Sequence, residues 1–189
     1  MRLRLPYLLF ILLFLSTFCR TSMIWAQNAD QAQHDPPPTG FGEIQLGLSF
    51  ADAEEALKRD PNFSYRGKAD VSMLRNPNER MIETGGLGFI RRAYLQFHDD
   101  RLYSIVLDID GQLMDHYALY TTFVGKYGPP NVFTPDESRW QGETNAFILE
   151  RKGLRVKYLD TELLDEIRRS GAIDQSFEEM TRDRFLRQF

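Results

Sequence analysis

His98, Asp99, Asp100, Asp108 and Asp110 fall inside one stretch, YLQFHDDRLYSIVLDIDG, with Asp115 and His116 close behind. Such a density of carboxylates and imidazoles could hold a metal or run acid–base chemistry. A calcium loop needs oxygen ligands at alternating positions around a tight turn. Asp108-x-Asp110-Gly111 supplies two, but the next positions fall on Leu113 and Met114, and the pattern fails. Paired carboxylates do acid–base work when one pKa is raised in an apolar cleft. Asp99 and Asp100 are expected at an exposed loop tip instead. Asp115 and His116 are adjacent, so on a helix they point in different directions. Neither G-x-S-x-G nor H-E-x-x-H occurs. No catalytic residue, metal or cofactor is expected, and the chain reads as non-enzymatic.

Two other groups could bind something. Gly85, Gly86 and Gly88, followed by Arg91 and Arg92, could form an anion nest of backbone N–H groups and guanidiniums. The Walker lysine is missing, and a strand rather than a helix is expected to follow. Tyr117, Tyr120 and Trp140, with Phe185 and Phe189 near the C-terminus, could offer a surface to a protein. Interfaces favour Tyr, Trp and Arg, and 18 of the 23 basic residues are arginine. The last stretch, SFEEMTRDRFLRQF, is amphipathic but too short to be stably helical alone. Phe185, Leu186 and Phe189 must dock on the domain or on another protein; the sequence leaves both open.

These residues need a scaffold. Ser49 suits the N-cap of a helix whose inner stripe is Ala53, Ala56 and Leu57, stopped at Asp60-Pro61. Strands are expected at 63–66, 71–74 and 81–84. Ala93–His98 and Arg101–Ile109 alternate as a hairpin. With His98-Asp99-Asp100 as a three-residue loop, Phe97 lies opposite Arg101. Ala93, Leu95, Phe97, Tyr103, Ile105, Leu107 and Ile109 then share one face. A two-residue loop would turn Tyr103, Ile105 and Leu107 away, so burial favours the odd loop. Leu113, Tyr117, Tyr120, Val124 and Tyr127 mark a second helix, ended by Gly128-Pro129-Pro130. Strands follow at 138–141, 145–151 and 154–159, then a helix capped by Asp160 or Thr161. A last short helix starts at Ser176.

In each half a helix leads through proline and asparagine (Pro61-Asn62, then Pro129-Pro130-Asn131) into antiparallel strands. This suggests an α+β fold: one antiparallel sheet with helices packed on one face, built from a pseudo-duplicated helix-plus-meander unit.

The N-terminus gives location. Arg2 and Arg4 precede an apolar run, Leu5–Phe18, and Ala26 offers a small residue for cleavage. Residues 1–26 read as a secretory signal peptide. The run is short of the roughly 20 apolar residues of a membrane span. An uncleaved anchor over 5–18, or a lipid on Cys19 (disfavoured by bulky Phe18 before it), are the rival readings. Residues 27–40, with Pro36-Pro37-Pro38, read as a disordered tether, and 41–189 as one domain with C-terminal helices. Cleavage would leave 20 basic against 27 acidic residues, a net charge of −7. That opposes binding to nucleic acid. It would also leave no cysteine, excluding thiol chemistry and disulfides.

IQLGLSFADAEEALKRDP resembles the opening of BamE/SmpA-type small envelope proteins, and FHDDRLYSI is similar to the strand–turn–strand that follows in such domains. The likeness covers about 40 residues. Arg59-Asp60-Pro61 stands where that family has glycine-x-proline. The resemblance implies an accessory role in envelope assembly. The expected function is an exported, periplasmic or envelope-bound protein that binds other proteins, the alternative being a small-molecule or anion-binding module at Gly85–Arg92.

Overall fold

A computed structural model describes residues 34–73 and 78–169, and the compact unit they form starts at Asp35. The expected signal peptide, the first half of the tether and the helix from Ser176 lie outside the described residues. The described end of the tether is anchored. Asn145 Nδ2 donates to the carbonyls of Pro37 and Pro38 at 3.2 and 3.1 Å, and the Asp35 N–H donates to the Lys126 carbonyl at 3.0 Å. The folded unit therefore begins near Asp35 rather than at Phe41.

A short hairpin, β1 (Gly40–Phe41) and β2 (Ile44–Gln45), leads into α1 (Phe50–Arg59). The Ser49 hydroxyl accepts from the Asp52 N–H at 3.2 Å, as an N-cap should. Ala53, Ala56 and Leu57 are buried. A 3₁₀ turn, Gly67–Asp70, precedes β3 (Val71–Met73), β4 (Glu79–Gly85), β5 (Ile90–His98) and β6 (Arg101–Ile109). The second half repeats the plan: α2 (His116–Tyr127), β7 (Val132–Phe133), β8 (Glu137–Gln141), β9 (Asn145–Glu150) and β10 (Arg155–Asp160). Helix α3 (Thr161–Arg169) follows. The expected strand at 63–66 reduces to a single bridge between Phe63 and Gly86.

All eight strands form one antiparallel sheet in the order β3-β4-β5-β6-β10-β9-β8-β7. Each half is a helix followed by a four-strand meander. The halves join through their last strands, β6 and β10, which pair from Asp108–Arg155 to Ser104–Leu159. The fold is α+β, with α1 and α2 against one face of the sheet. Between them lies the main core: Ile82, Ala93, Leu95, Phe97, Ile105 and Leu107 from the first half, and Trp140, Phe147, Leu149, Val156 and Tyr158 from the second. Phe147 is the hub of the second half, 4.8 Å from the Phe123 ring, 5.1 Å from Tyr158 and 5.7 Å from Trp140. Each such ring contributes about 1.5–3 kcal/mol by leaving water.

The central hairpin differs from the expected register. His98 pairs with Arg101 and Phe97 with Leu102, so the loop is only Asp99-Asp100. Both aspartates are left-handed, at φ 45° and 65°, as a two-residue hairpin turn requires. The burial objection is met by a β-bulge: Gln96 pairs with Ser104, leaving Tyr103 as an extra residue. The bulge restores Ile105 and Leu107 to the face of Leu95. Leu102 takes the core place expected for Tyr103, which packs instead with Leu163 and Ile167 of α3 in a separate cluster. That puts α3 on the reverse face, away from α1 and α2. A second bulge at Arg91 starts β5.

Helix α2 also starts later than the Leu113 spacing implied. The Asp110 carboxylate accepts from the Gln112 N–H, and the Asp110 carbonyl from Leu113 and Met114, making a turn. Asp115 is the N-cap, accepting from the Ala118 N–H at 2.8 Å. Leu113 thus precedes the helix and Tyr117 faces water. The inner stripe is Leu119, Tyr120, Phe123, Val124 and Tyr127. The helix ends at Gly128, whose φ of 78° and ψ of −174° suit glycine alone.

Candidate functional site

One end of the sheet is built by the β4–β5 turn, the β6–α2 loop, the β7–β8 turn and the β9–β10 turn. Short backbone bonds tie them together: Asp110 N–H to Phe89 O at 2.8 Å, Ile109 N–H to Leu154 O at 2.9 Å, and Arg151 N–H to Asp136 O at 2.8 Å. Among the described residues the large exposed apolar side chains are Leu87, Phe89, Leu113, Tyr117, Val132 and Phe133. Leu87, Phe89, Leu113 and Tyr117 lie in or beside the first two of these turns, and Val132 and Phe133 form edge strand β7, which leads into the β7–β8 turn. Tyr117 is the most open, at 74% of its full exposure. Single exposed apolar residues need no explanation, but their confinement to one end makes an apolar rim of the kind that contacts partners.

The glycine loop lies at this rim and holds the turn. The N–H groups of Gly86 and Leu87 already donate to the carbonyls of Arg91 and Asn62, at 3.0 and 2.8 Å. A Cβ on Gly86 would stand 2.3 Å from the Ile90 carbonyl oxygen, and one on Gly85 2.7 Å from Ser64 Oγ. Gly88 takes φ 61° in open space. These glycines serve close backbone approach and a left-handed turn, with two of the expected nest donors taken up internally. Arg92 pairs with Glu83 at 2.8 Å, while Arg91 is exposed at the bulge.

The aromatic candidates divide. Tyr117 is on the rim. Tyr120 is half-buried between Phe133 and Trp140, with ring centroids 5.7 and 6.5 Å away. Trp140 is core, only 1% exposed, and its indole N–H donates to the Gly128 carbonyl at 2.7 Å. It therefore presents almost no surface to a partner. The cause is position: it lies on β8, opposite Phe147 on the inner face. Phe185 and Phe189 lie outside the described residues.

The acids of the opening stretch have structural work. The Asp100 carboxylate accepts from Arg80 and from the Phe50 N–H. Asp110 forms its turn and Asp115 caps α2. His98 stands 3.5 Å from Asp99. The His116 ring stacks on Tyr120, and burial, with Arg151 nearby, holds its pKa below the usual value. Among the described residues no three His, Cys, Asp or Glu side chains gather into a metal site.

Asp108 alone joins a larger cluster, on the reverse face. Arg155 lies 3.5 Å from Asp108 and 3.6 Å from Glu150, which also accepts from Lys157. These four side chains are only 14–21% exposed. Burial pushes the Asp108 carboxyl up from its ordinary range; Arg155, Arg91 and Arg92 oppose that, and Glu150 adds to it. Beside the cluster, Met81, Tyr94 and Val106 form a small apolar group. Burial also raises the Tyr94 phenol, against the pull of Arg92.

The model of the TP0088 domain matches residues 39–170. The chain belongs to the TP0088 domain family. No curated protein and no solved structure matches it. The TP0088 domain takes in both sheet halves and α3, and with them the rim and the reverse-face cluster. Sequence reasoning missed that cluster. Its signal was the alternation Arg155-Val-Lys157-Tyr in the TP0088 domain's β10, which places two cations on the face opposite Val156 and Tyr158.

Proposed function

We propose that the protein is an exported, non-enzymatic component of a bacterial cell envelope that binds another protein through its apolar rim. The observation that carries this is the confinement of Leu87, Phe89, Leu113, Tyr117, Val132 and Phe133 to one end of the sheet. The Arg2/Arg4 start and apolar run Leu5–Phe18 support export, whether the run is cleaved, retained as an anchor, or followed by a lipid on Cys19. No helix among the described residues is long and apolar enough to cross a membrane. The likeness of Ile44–Pro61 to BamE/SmpA-type proteins supports an assembly role. Anion binding at Gly85–Arg92 is the weaker reading, because two of the loop's amides are already engaged.

The test places a photoreactive benzoylphenylalanine at Phe89, Leu113 or Tyr117 in the full chain, in cells, with exposed Glu143 at the opposite end as control. The expected result is one discrete adduct with a second protein from the rim positions and none from Glu143. Equal labelling from all four positions, or none from the rim, overturns the reading.

A further inference from the structure

The rim includes an open edge of the sheet. Strand β7 ends the strand order, with β8 on one side and no strand among the described residues on the other. The bonds to β8 fix which way its backbone groups point. The Thr134 N–H donates to the Glu137 carbonyl at 2.9 Å, and Val132 lies opposite Arg139. Inward and outward residues alternate along an antiparallel strand. Thr134 and Val132 therefore bond towards β8, while Asn131 and Phe133 turn their N–H and C=O groups outward. The Asn131 side chain accepts from the Gln141 N–H at 2.6 Å and closes the pairing with β8.

Edges are commonly closed to other chains by a charge or a proline within the strand. Strand β7 has neither: its two residues are valine and phenylalanine, 43% and 62% exposed. They point to opposite faces. Phe133, opposite Ser138, lies on the helix side with its ring 5.7 Å from Tyr120. Val132, opposite Arg139, lies on the reverse side. Pro130 and Pro135 bracket the strand and hold the open edge to a single ladder repeat. A strand laid along it would exchange two hydrogen bonds with Phe133. It would also cover Val132 on one face and the Phe133–Tyr120 pair on the other. In such strand addition the backbone gives affinity and the flanking side chains give specificity. A helix has no mid-helix backbone groups to offer this edge.

We propose that the protein bound at the rim is held by strand addition: an extended, apolar segment of the partner pairs with the outer edge of β7 at Phe133. This rests on the rim reading and adds to it the kind of segment recognised. The partner's backbone meets the Phe133 N–H and C=O, and its apolar side chains meet Phe133 and Tyr120 on one face and Val132 on the other.

The test uses the full chain in cells, with benzoylphenylalanine at Tyr117 as the probe and Phe133→Pro or Phe133→Leu in the same chain. Proline removes the outward N–H and is tolerated where that group faces solvent; leucine keeps it. The adduct should stay within about twofold in Phe133→Leu and fall about tenfold in Phe133→Pro, because proline leaves a carbonyl of the partner unpaired. Equal yields from the two variants, high or low, overturn strand addition and leave the rim reading standing. No adduct from the parent chain overturns both. Hydrogen exchange gives a second measurement that needs no proline variant. The Phe133 amide should exchange quickly in the free chain and be protected in the purified adduct. Equally fast exchange in both overturns the proposal.

Discussion

Trp140→Phe separates a core role for this residue from an interface role. The indole N–H donates to the Gly128 carbonyl at 2.7 Å, at the point where α2 ends in a backbone conformation reserved for glycine. Phenylalanine leaves that buried carbonyl unpaired, costing about 1–3 kcal/mol. It also leaves a void beside Phe147, Phe123 and Tyr120, whose ring centroids stand 5.7, 5.9 and 6.5 Å from Trp140. Losing part of a packed ring adds about 1–2 kcal/mol. The expected loss is therefore about 2–5 kcal/mol, a large share of the 5–15 kcal/mol typical of a domain. Urea unfolding reads it as a lower midpoint with an unchanged slope. A loss below about 1 kcal/mol would refute the account of Trp140 as a hydrogen-bonded core residue. So would weaker rim crosslinking at undiminished stability, since Trp140 would then be acting as a contact for the partner.

Gly86→Ala should destabilise by more than about 1 kcal/mol, because its Cβ would meet the Ile90 carbonyl oxygen at 2.3 Å, a backbone atom that cannot step aside; thermal unfolding measures it. Asp99→Gly and Asp100→Gly should part company in the same assay. Both relieve a left-handed aspartate, worth about 1 kcal/mol, but only Asp100 holds Arg80 and the Phe50 N–H, so only its replacement should lower stability. Asp108→Asn should gain on the wild type as pH rises. A carboxyl whose folded pKa is raised above 3.8 holds its proton longer in the native state than in the unfolded chain. Its contribution is therefore lost as pH climbs through that window. Urea midpoints of the two proteins across acidic to neutral pH show this as a widening difference, and parallel curves would refute it.

Local chemistry was legible in the sequence wherever neighbouring residues decide it. Ser49 before an Ala53/Ala56/Leu57 stripe, proline after Asp60, and Asp160 before α3 each did what its side chain allows. The central hairpin was legible as two strands but not in register. Unbroken alternation assumes no bulge, and the extra residue at Tyr103 costs nothing that a sequence displays. The spacing of Leu113 to Tyr117 imitates a helical stripe, but Asp110 makes a turn and Asp115 caps the helix only after it. Trp140 was placed on its strand, but which face that strand buries depends on Phe147 across the ladder, a tertiary fact.

The duplicated plan accounts for where the unusual chemistry gathers. Two helix-plus-meander halves joined through their last strands put β6 and β10 at the centre of the sheet, the positions with most cover on either face. Apolar residues answer that on the helix side, where Ile105 and Leu107 meet Tyr158 and Val156. On the reverse side the same strand pair carries Asp108, Arg155 and Lys157, with Glu150 beside them on β9. Partly buried charges such as these are favoured when paired, and a hydrophobic pair would hold the seam as well. Their presence therefore fits a requirement for orientation more than for stability. Arg155 bridging Asp108 on one half and Glu150 on the other fixes the register in which the halves meet, since a slip of one residue along β10 would turn Arg155 and Lys157 into the aromatic core.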